Sequence, residues 1–134
     1  MTLMEAIDTN LLVRLFVRDD EAQANKVRDL FDRRADEEGA LWIPDIVLVE
    51  LVWTLGRIYE RSRTEIRTAL LALRGNATVR LESATAVAEA ILLYEQGPAD
   101  FADCLLVSKA AQAGCKSVRT FDRKMQGLPR VKML

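Results

Sequence analysis

Four acids stand at unusual places in this chain. Asp8 lies between two apolar runs, in Met4-Glu5-Ala6-Ile7-Asp8-Thr9-Asn10-Leu11-Leu12. Glu50 is the only charge between Asp45 and Arg57. Asp103 is followed by Cys104-Leu105-Leu106-Val107, and Asp122 closes Ser117-Val118-Arg119-Thr120-Phe121. A carboxylate withdrawn from water is costly unless paired, so each acid must either cap a helix at the surface or meet a cation. The chain has no histidine. That removes His-activated nucleophiles, His general bases and His metal ligands. Hard chemistry must then come from carboxylates, Lys or Cys, or from a metal held by oxygen. Oxygen-only donors suit Mg²⁺ or Mn²⁺, and one or two such ions can polarise a phosphodiester, orient a water and steady the leaving oxygen. A bound cation would also offset the repulsion among the acids.

Each acid also has a plain structural reading. Asp8 and Asp122 follow expected strands and would serve as N-caps, accepting from the first unpaired N–H groups of a helix. Asp100 and Asp103 are three apart and share a face, with Asp100 as N-cap and Asp103 at the third helical position, where the helix dipole favours acids. Glu50 would share a polar stripe with Thr54 and Arg57, but its neighbours are apolar all round, as in a buried helix, and a Glu there wants a cation.

The elements that must position these residues follow from periodicity and capping. Strands are expected at Leu3–Ile7, Ala40–Ile43, Thr78–Leu81, Ser117–Phe121 and Val131–Leu134. Helices are expected over Asn10–Phe16, Glu21–Asp36, Pro44–Tyr59 with Pro44 in the first turn, and Ser62–Leu73 behind a Ser62/Glu65 capping box. Two more run from Ser83 or Thr85 to Tyr94, before Gly97-Pro98, and over Asp100–Ala113, closed by Gly114. Asp122–Gln126 reads as a turn or short helix. Strands alternating with helices argue for a three-layer α/β/α sandwich around a mostly parallel sheet of four to five strands. In such folds sites form outside the carboxyl ends of the strands. If the first and fourth strands are adjacent, Asp8 and Asp122 share an edge.

The chain is 134 residues long, half hydrophobic and 29% charged, which fits one globular domain spanning residues 1–134. No apolar run approaches a membrane span, and the start lacks a signal-peptide pattern, so a cytoplasmic protein is expected. Cys104 and Cys115 are eleven positions apart, about 16 Å if helical, too far for a disulfide; both are expected as buried thiols. Net charge is −1, but from Lys109 onward seven bases face the single acid Asp122, while residues 19–38 hold eight acids against four bases. A basic end can meet an anionic substrate. Without the four acids the formal charge is mildly positive.

With Ile7-Asp8-Thr9-Asn10, Glu50 in an apolar helix, Asp100-Phe101-Ala102-Asp103-Cys104-Leu105 and Thr120-Phe121-Asp122 in this order, the chain resembles the PIN-domain proteins, in particular the VapC-type toxin ribonucleases of toxin–antitoxin pairs. The resemblance covers nearly the whole chain. It implies an α/β/α fold and a metal-dependent endoribonuclease whose four acids are Asp8, Glu50, Asp103 and Asp122, holding Mg²⁺ or Mn²⁺. Asp100 matches an auxiliary acid, and Asn10 and Thr120 match polar residues that orient the acids. A Ser commonly found before the Glu is absent; Asp45 and Val47 occupy that neighbourhood. The resemblance also implies a homodimer and an antitoxin partner. On this reading Lys109, Arg119, Arg123 and Lys124 are candidates for RNA phosphates, or else solvated surface charge.

Two other functions fit parts of the pattern. A receiver- or dehalogenase-like phosphate-transfer domain would use Asp8 as nucleophile, but Asn10 stands where a second acid is needed. A PIN-like binding module without catalysis would not require all four acids.

Overall fold

Strand ends and helix caps follow directly from local chemistry. The computed structural model describes residues 3–134 and divides into two compact units, Met1–Glu82 and Ser83–Leu134.

In the first unit, β1 (Glu5–Ala6), β2 (Leu41–Ile43) and β3 (Val79–Leu81) form a parallel sheet in the order β1-β2-β3. Glu5 faces Leu41, and Leu41 in turn faces Val79. Parallel neighbours need crossovers: α1 (Thr9–Phe16) and α2 (Glu21–Arg33) join β1 to β2, and α3 (Asp45–Arg57) and α4 (Arg63–Arg74) join β2 to β3. Leu41 and Ile43 of β2 are fully buried, as are Leu12, Leu51 and Leu55 on the helices. Each such side chain contributes about 1.5–3 kcal/mol. Arg34 ties the end of α2 to the edge of the sheet through Glu5, Glu37 and the Leu3 carbonyl.

In the second unit, α5 (Ala84–Gln96) packs on α6 (Phe101–Gln112), with Tyr94 meeting Phe101 edge-on at 6.0 Å between ring centres. A parallel ladder of β4 (Val118–Thr120) and β5 (Val131–Met133) follows, joined through a 3-10 turn at Arg123–Met125. Gly114 supplies the left-handed turn that closes α6, with φ +84°.

Within each of the two hydrogen-bonded sets the strands pair in parallel, as the α/β expectation requires. Several expected bounds move. The first strand shrinks to Glu5–Ala6, both exposed, and α2 stops three residues early at Arg33. Pro44 is the N-cap of α3 rather than a first-turn residue. Pro offers no capping side chain, and Glu82 supplies the acceptor instead, taking the Asp45 N–H at 2.8 Å. The capping box of α4 forms as expected between Ser62 and Glu65. Cys104 is buried, but Cys115 is exposed beyond the end of α6, which corrects the expectation of two buried thiols. Among the described residues no helix is long and apolar enough to cross a membrane.

Candidate functional site

The sequence-chosen acids divide between the two units, and each half has its own geometry. In the first unit Asp8 leaves β1 and caps α1. Its Oδ1 accepts the Thr9 N–H at 2.7 Å. The side chain is exposed rather than buried, so the capping role is realised and the outer face of the carboxylate stays open to solvent. Asn10, in the first turn of α1, is also exposed.

Glu50 lies midway along α3 and is exposed as well. The expectation of a helix buried all round fails. Ile46 is 67% and Trp53 58% exposed, and both share the Glu50 face at helical spacing. Leu48, Leu51 and Leu55 take the buried side. Apolar composition alone does not tell which face of such a helix meets the core. Arg57 is not the partner of Glu50. That place is taken by the Thr9 hydroxyl, which donates to Glu50 Oε2 at 3.3 Å across 41 positions of chain. Thr9 is itself buried. Sequence reasoning left it as one of a polar pair after Asp8; the Asp-Thr-Asn order was the available signal. Glu82 was passed over too, though it follows a strand as Asp8 does, and its structural role at α3 is now explicit.

In the second unit Asp100 takes the N-cap position of α6 and Asp103 the third, as expected, but the Asp100 side chain makes no capping hydrogen bond. Both backbone bonds of the first turn return to the Asp100 carbonyl, from Asp103 at 3.1 Å and Cys104 at 3.0 Å. Asp103 is partly buried. Its carboxyl is held above the ordinary value, first by burial and then by the charges of Asp100 and Asp122, with Lys124 pulling the other way. Asp100 and Asp122 therefore each sit within electrostatic reach of Asp103.

Asp122 is fixed by two turns. Its N–H donates to Thr120 Oγ1 at 2.9 Å, and its Oδ1 accepts the Lys124 N–H at 2.9 Å. Thr120 thus orients Asp122 through its backbone. Arg119, Arg123 and Lys124 are exposed along this stretch, and Lys109 is exposed in the last turn of α6.

A donor set of carboxylate oxygens suits a hard divalent cation. Cys104 is no competitor: its thiol is buried, toward the Ala99 carbonyl. Among the described residues no three or more Cys, Asp or Glu side chains are gathered so that they could hold a metal ion. Mg²⁺ can be held by fewer, because it keeps several waters and usually takes one or two carboxylates. The mutual repulsion at Asp103 is what such an ion would relieve, so the residues fit the group.

Comparison with known proteins adds the family context. The family profile described as PIN domain matches residues 6–131. A VapC ribonuclease of Aquifex aeolicus (strain VF5) is 28% identical over 125 residues, spanning 93% of this chain and 92% of the relative. Similar solved structures include the sarcin-ricin loop cleaving toxin VapC20 of Mycobacterium tuberculosis. It is 19% identical, covering 90% of this chain and 89% of that one, with a TM-score of 0.40. A toxin–antitoxin complex from Klebsiella pneumoniae is 15% identical over 95% of this chain and 94% of that one, with a TM-score of 0.36.

Proposed function

The chain belongs to the PIN domain family, and from that premise we propose that it is a metal-dependent endoribonuclease, the toxin of a toxin–antitoxin pair. The observation that carries the proposal is the surroundings of Asp103: in one unit its carboxyl is raised by partial burial and by the charges of Asp100 and Asp122, with Lys124 opposing them. Protein stability alone gives no reason to assemble them. The similarity to a VapC ribonuclease along 93% of the chain supports the same reading.

Asp8, Asp103 and Asp122 would hold Mg²⁺ or Mn²⁺, with Glu50 as a further ligand or as the group that orients water. Bound there, the metal would supply Lewis acidity toward a phosphodiester and a water. The protein supplies position. Asp8 is aimed by the cap of α1, Asp122 by the turns on Thr120 and Lys124, and Glu50 by the Thr9 hydroxyl. Asp100 adds negative potential beside Asp103, and Asn10 lies next to Thr9 at the head of α1. Exposed Arg119, Arg123, Lys124 and Lys109 would meet RNA phosphates. Both units serve one PIN domain in this reading, and the protein acts in the cytoplasm as a homodimer, held in check by an antitoxin chain.

The deciding experiment is cleavage of total cellular RNA by wild type and by Asp8→Asn, with Mg²⁺ or Mn²⁺ and with EDTA. Discrete fragments that need both metal and Asp8 are expected. Full activity of Asp8→Asn, or cleavage that survives EDTA, would overturn the proposal.

A further inference from the structure

The β4–β5 ladder carries one polar-apolar pattern that the four acids do not use. Its register pairs Arg119 with Lys132 and Thr120 with Met133. The Leu134 N–H donates to the Thr120 carbonyl at 3.0 Å, so the pairing runs on and sets Leu134 beside Phe121. Exposure alternates along both strands: Arg119, Phe121, Lys132 and Leu134 are exposed, while Val118, Thr120, Val131 and Met133 are half-buried. By the two-residue period of a strand the exposed four share one face. On it, a pair of cations is followed by an aromatic and an aliphatic side chain.

Phe121 is 78% exposed, the highest value among the described large hydrophobic residues, and Leu134 is 74% exposed. Phe121 does not hang on a loose loop. Thr120 before it is in the ladder, and Asp122 after it is held by two hydrogen bonds. A ring kept in water on a fixed backbone, with cations two residues back, matches the way single-stranded nucleic acid is bound: a base stacks on an aromatic and basic side chains follow the phosphates. Two apolar side chains do not make the contiguous patch that a protein partner needs, whereas the charge is that of a partner for a polyanion.

We propose that Phe121 is a stacking platform for an unpaired base of the RNA substrate, with Arg119 and Lys132 on the adjoining phosphates. It is a substrate-positioning residue for the nucleotide next to Asp122, and the proposal rests on the ribonuclease reading above.

The test measures binding of a short oligouridylate, and of the abasic oligomer of the same length, to Asp8→Asn protein with and without Phe121→Ala, alongside metal-dependent cleavage of RNA by wild type and Phe121→Ala. Phe121→Ala is expected to weaken oligouridylate binding about tenfold, to leave the abasic oligomer unchanged and to raise KM more than it lowers kcat. Phe121→Trp is expected to restore binding. Melting temperature is a control for folding, and an exposed ring should leave it unmoved. If wild type cleaves RNA and Phe121→Ala binds oligouridylate as tightly as its parent, the platform is overturned and the nuclease reading stands. A shift of oligomeric state in Phe121→Ala, with RNA binding intact, marks a protein interface and also overturns it. If the Asp8→Asn parent does not bind oligouridylate and wild type does not cleave RNA, both readings fall.

Discussion

The Thr9 hydroxyl donates to Glu50 Oε2 at 3.3 Å, joining the first turn of α1 to the middle of α3. This bond gives the Glu50 carboxylate a fixed direction although its residue is exposed. Removing a group that orients a ligand typically costs about 10–100-fold in activity. Thr9→Val keeps the shape of the side chain and deletes the donor. We expect it to lower kcat for RNA cleavage within that range, with KM little changed and melting temperature near wild type, and Thr9→Ser to recover most of the rate. Equal rates for Thr9→Val and wild type would separate the bond from catalysis.

Asp8 serves two demands at once. It caps α1 at 2.7 Å from the Thr9 nitrogen, and it is proposed as a metal ligand. Asn caps a helix about as well as Asp but carries no charge for a cation. Asp8→Asn should therefore melt close to wild type and yet lose cleavage. Asp8→Ala should lose cleavage and also about 1 kcal/mol of stability. Denaturant melts of both variants beside the wild type check the split. A large stability loss in Asp8→Asn would make its inactivity uninformative about the metal, and calorimetry of Mg²⁺ binding would then replace the rate.

The caps and punctuation of this fold were legible because they are local. Ser62 and Glu65 cap α4 and Gly114 closes α6 within one turn of where they stand, as their spacing implies; Asp100 takes the N-cap position of α6 and Asp103 the third, though the Asp100 side chain makes no capping hydrogen bond. What failed depends on the far side of the chain. Glu50 looked buried because its neighbours are apolar, but Ile46 and Trp53 face solvent and only one side of α3 meets the core. Pro44 was placed one position too deep because the acceptor that replaces its missing cap, Glu82, lies 37 residues away from Asp45. Cys115 was misjudged because it lies just past the end of α6, where the helical face no longer decides burial. Of the acids, Asp8 and Asp122 accept N–H groups as their places after strands imply; the Thr9 support for Glu50 could not be seen without the tertiary pairing.

Asp103 gives a pH dependence with a definite sign. Its carboxyl is raised by burial and by the charges of Asp100 and Asp122, so the folded chain holds that proton more tightly than the unfolded chain. The ionised form is the disfavoured one. Stability from this group is therefore highest below the ordinary value of 3.8 and falls as pH rises through the raised folded value. Asp103→Asn removes the penalty. Without metal, we expect it to melt above wild type at neutral pH, with the gap closing under acid conditions. Added Mg²⁺ should raise the melting temperature of wild type more than that of the variant. Thermal melts across pH, with EDTA or Mg²⁺, read this directly; a variant less stable than wild type at neutral pH in EDTA contradicts it.

The capping box of α4 is remote in sequence from the acids and tests stability alone. Ser62 Oγ accepts the Glu65 N–H at 3.1 Å, and Glu65 Oε1 accepts the Ser62 N–H at 3.0 Å. Ser62→Ala should cost about 1 kcal/mol, a drop of about 3–5 °C in melting temperature for a chain of this size, with cleavage at low temperature unchanged. The Glu65 carboxyl is held below its ordinary value, first by the Ser62 backbone. Its contribution is therefore present above 4.5 and is lost as pH falls through the lowered folded value. The wild-type advantage over Glu65→Ala, which removes the carboxylate, should shrink in acid.

The two thiols should report the fold by their reactivity. Cys115 is exposed and Cys104, on the buried side of the first turn of α6, is not, and neither forms a disulfide. Reactivity needs access to the thiolate. Ellman's reagent should therefore titrate one thiol per chain quickly in native buffer, and a second only on unfolding. Cys115→Ser should abolish the fast phase and leave RNA cleavage intact, because Cys115 is placed in no part of the acid site. Two fast thiols in native protein would show that α6 opens readily, and would withdraw the rigid placement of Asp100 and Asp103 on which the site depends.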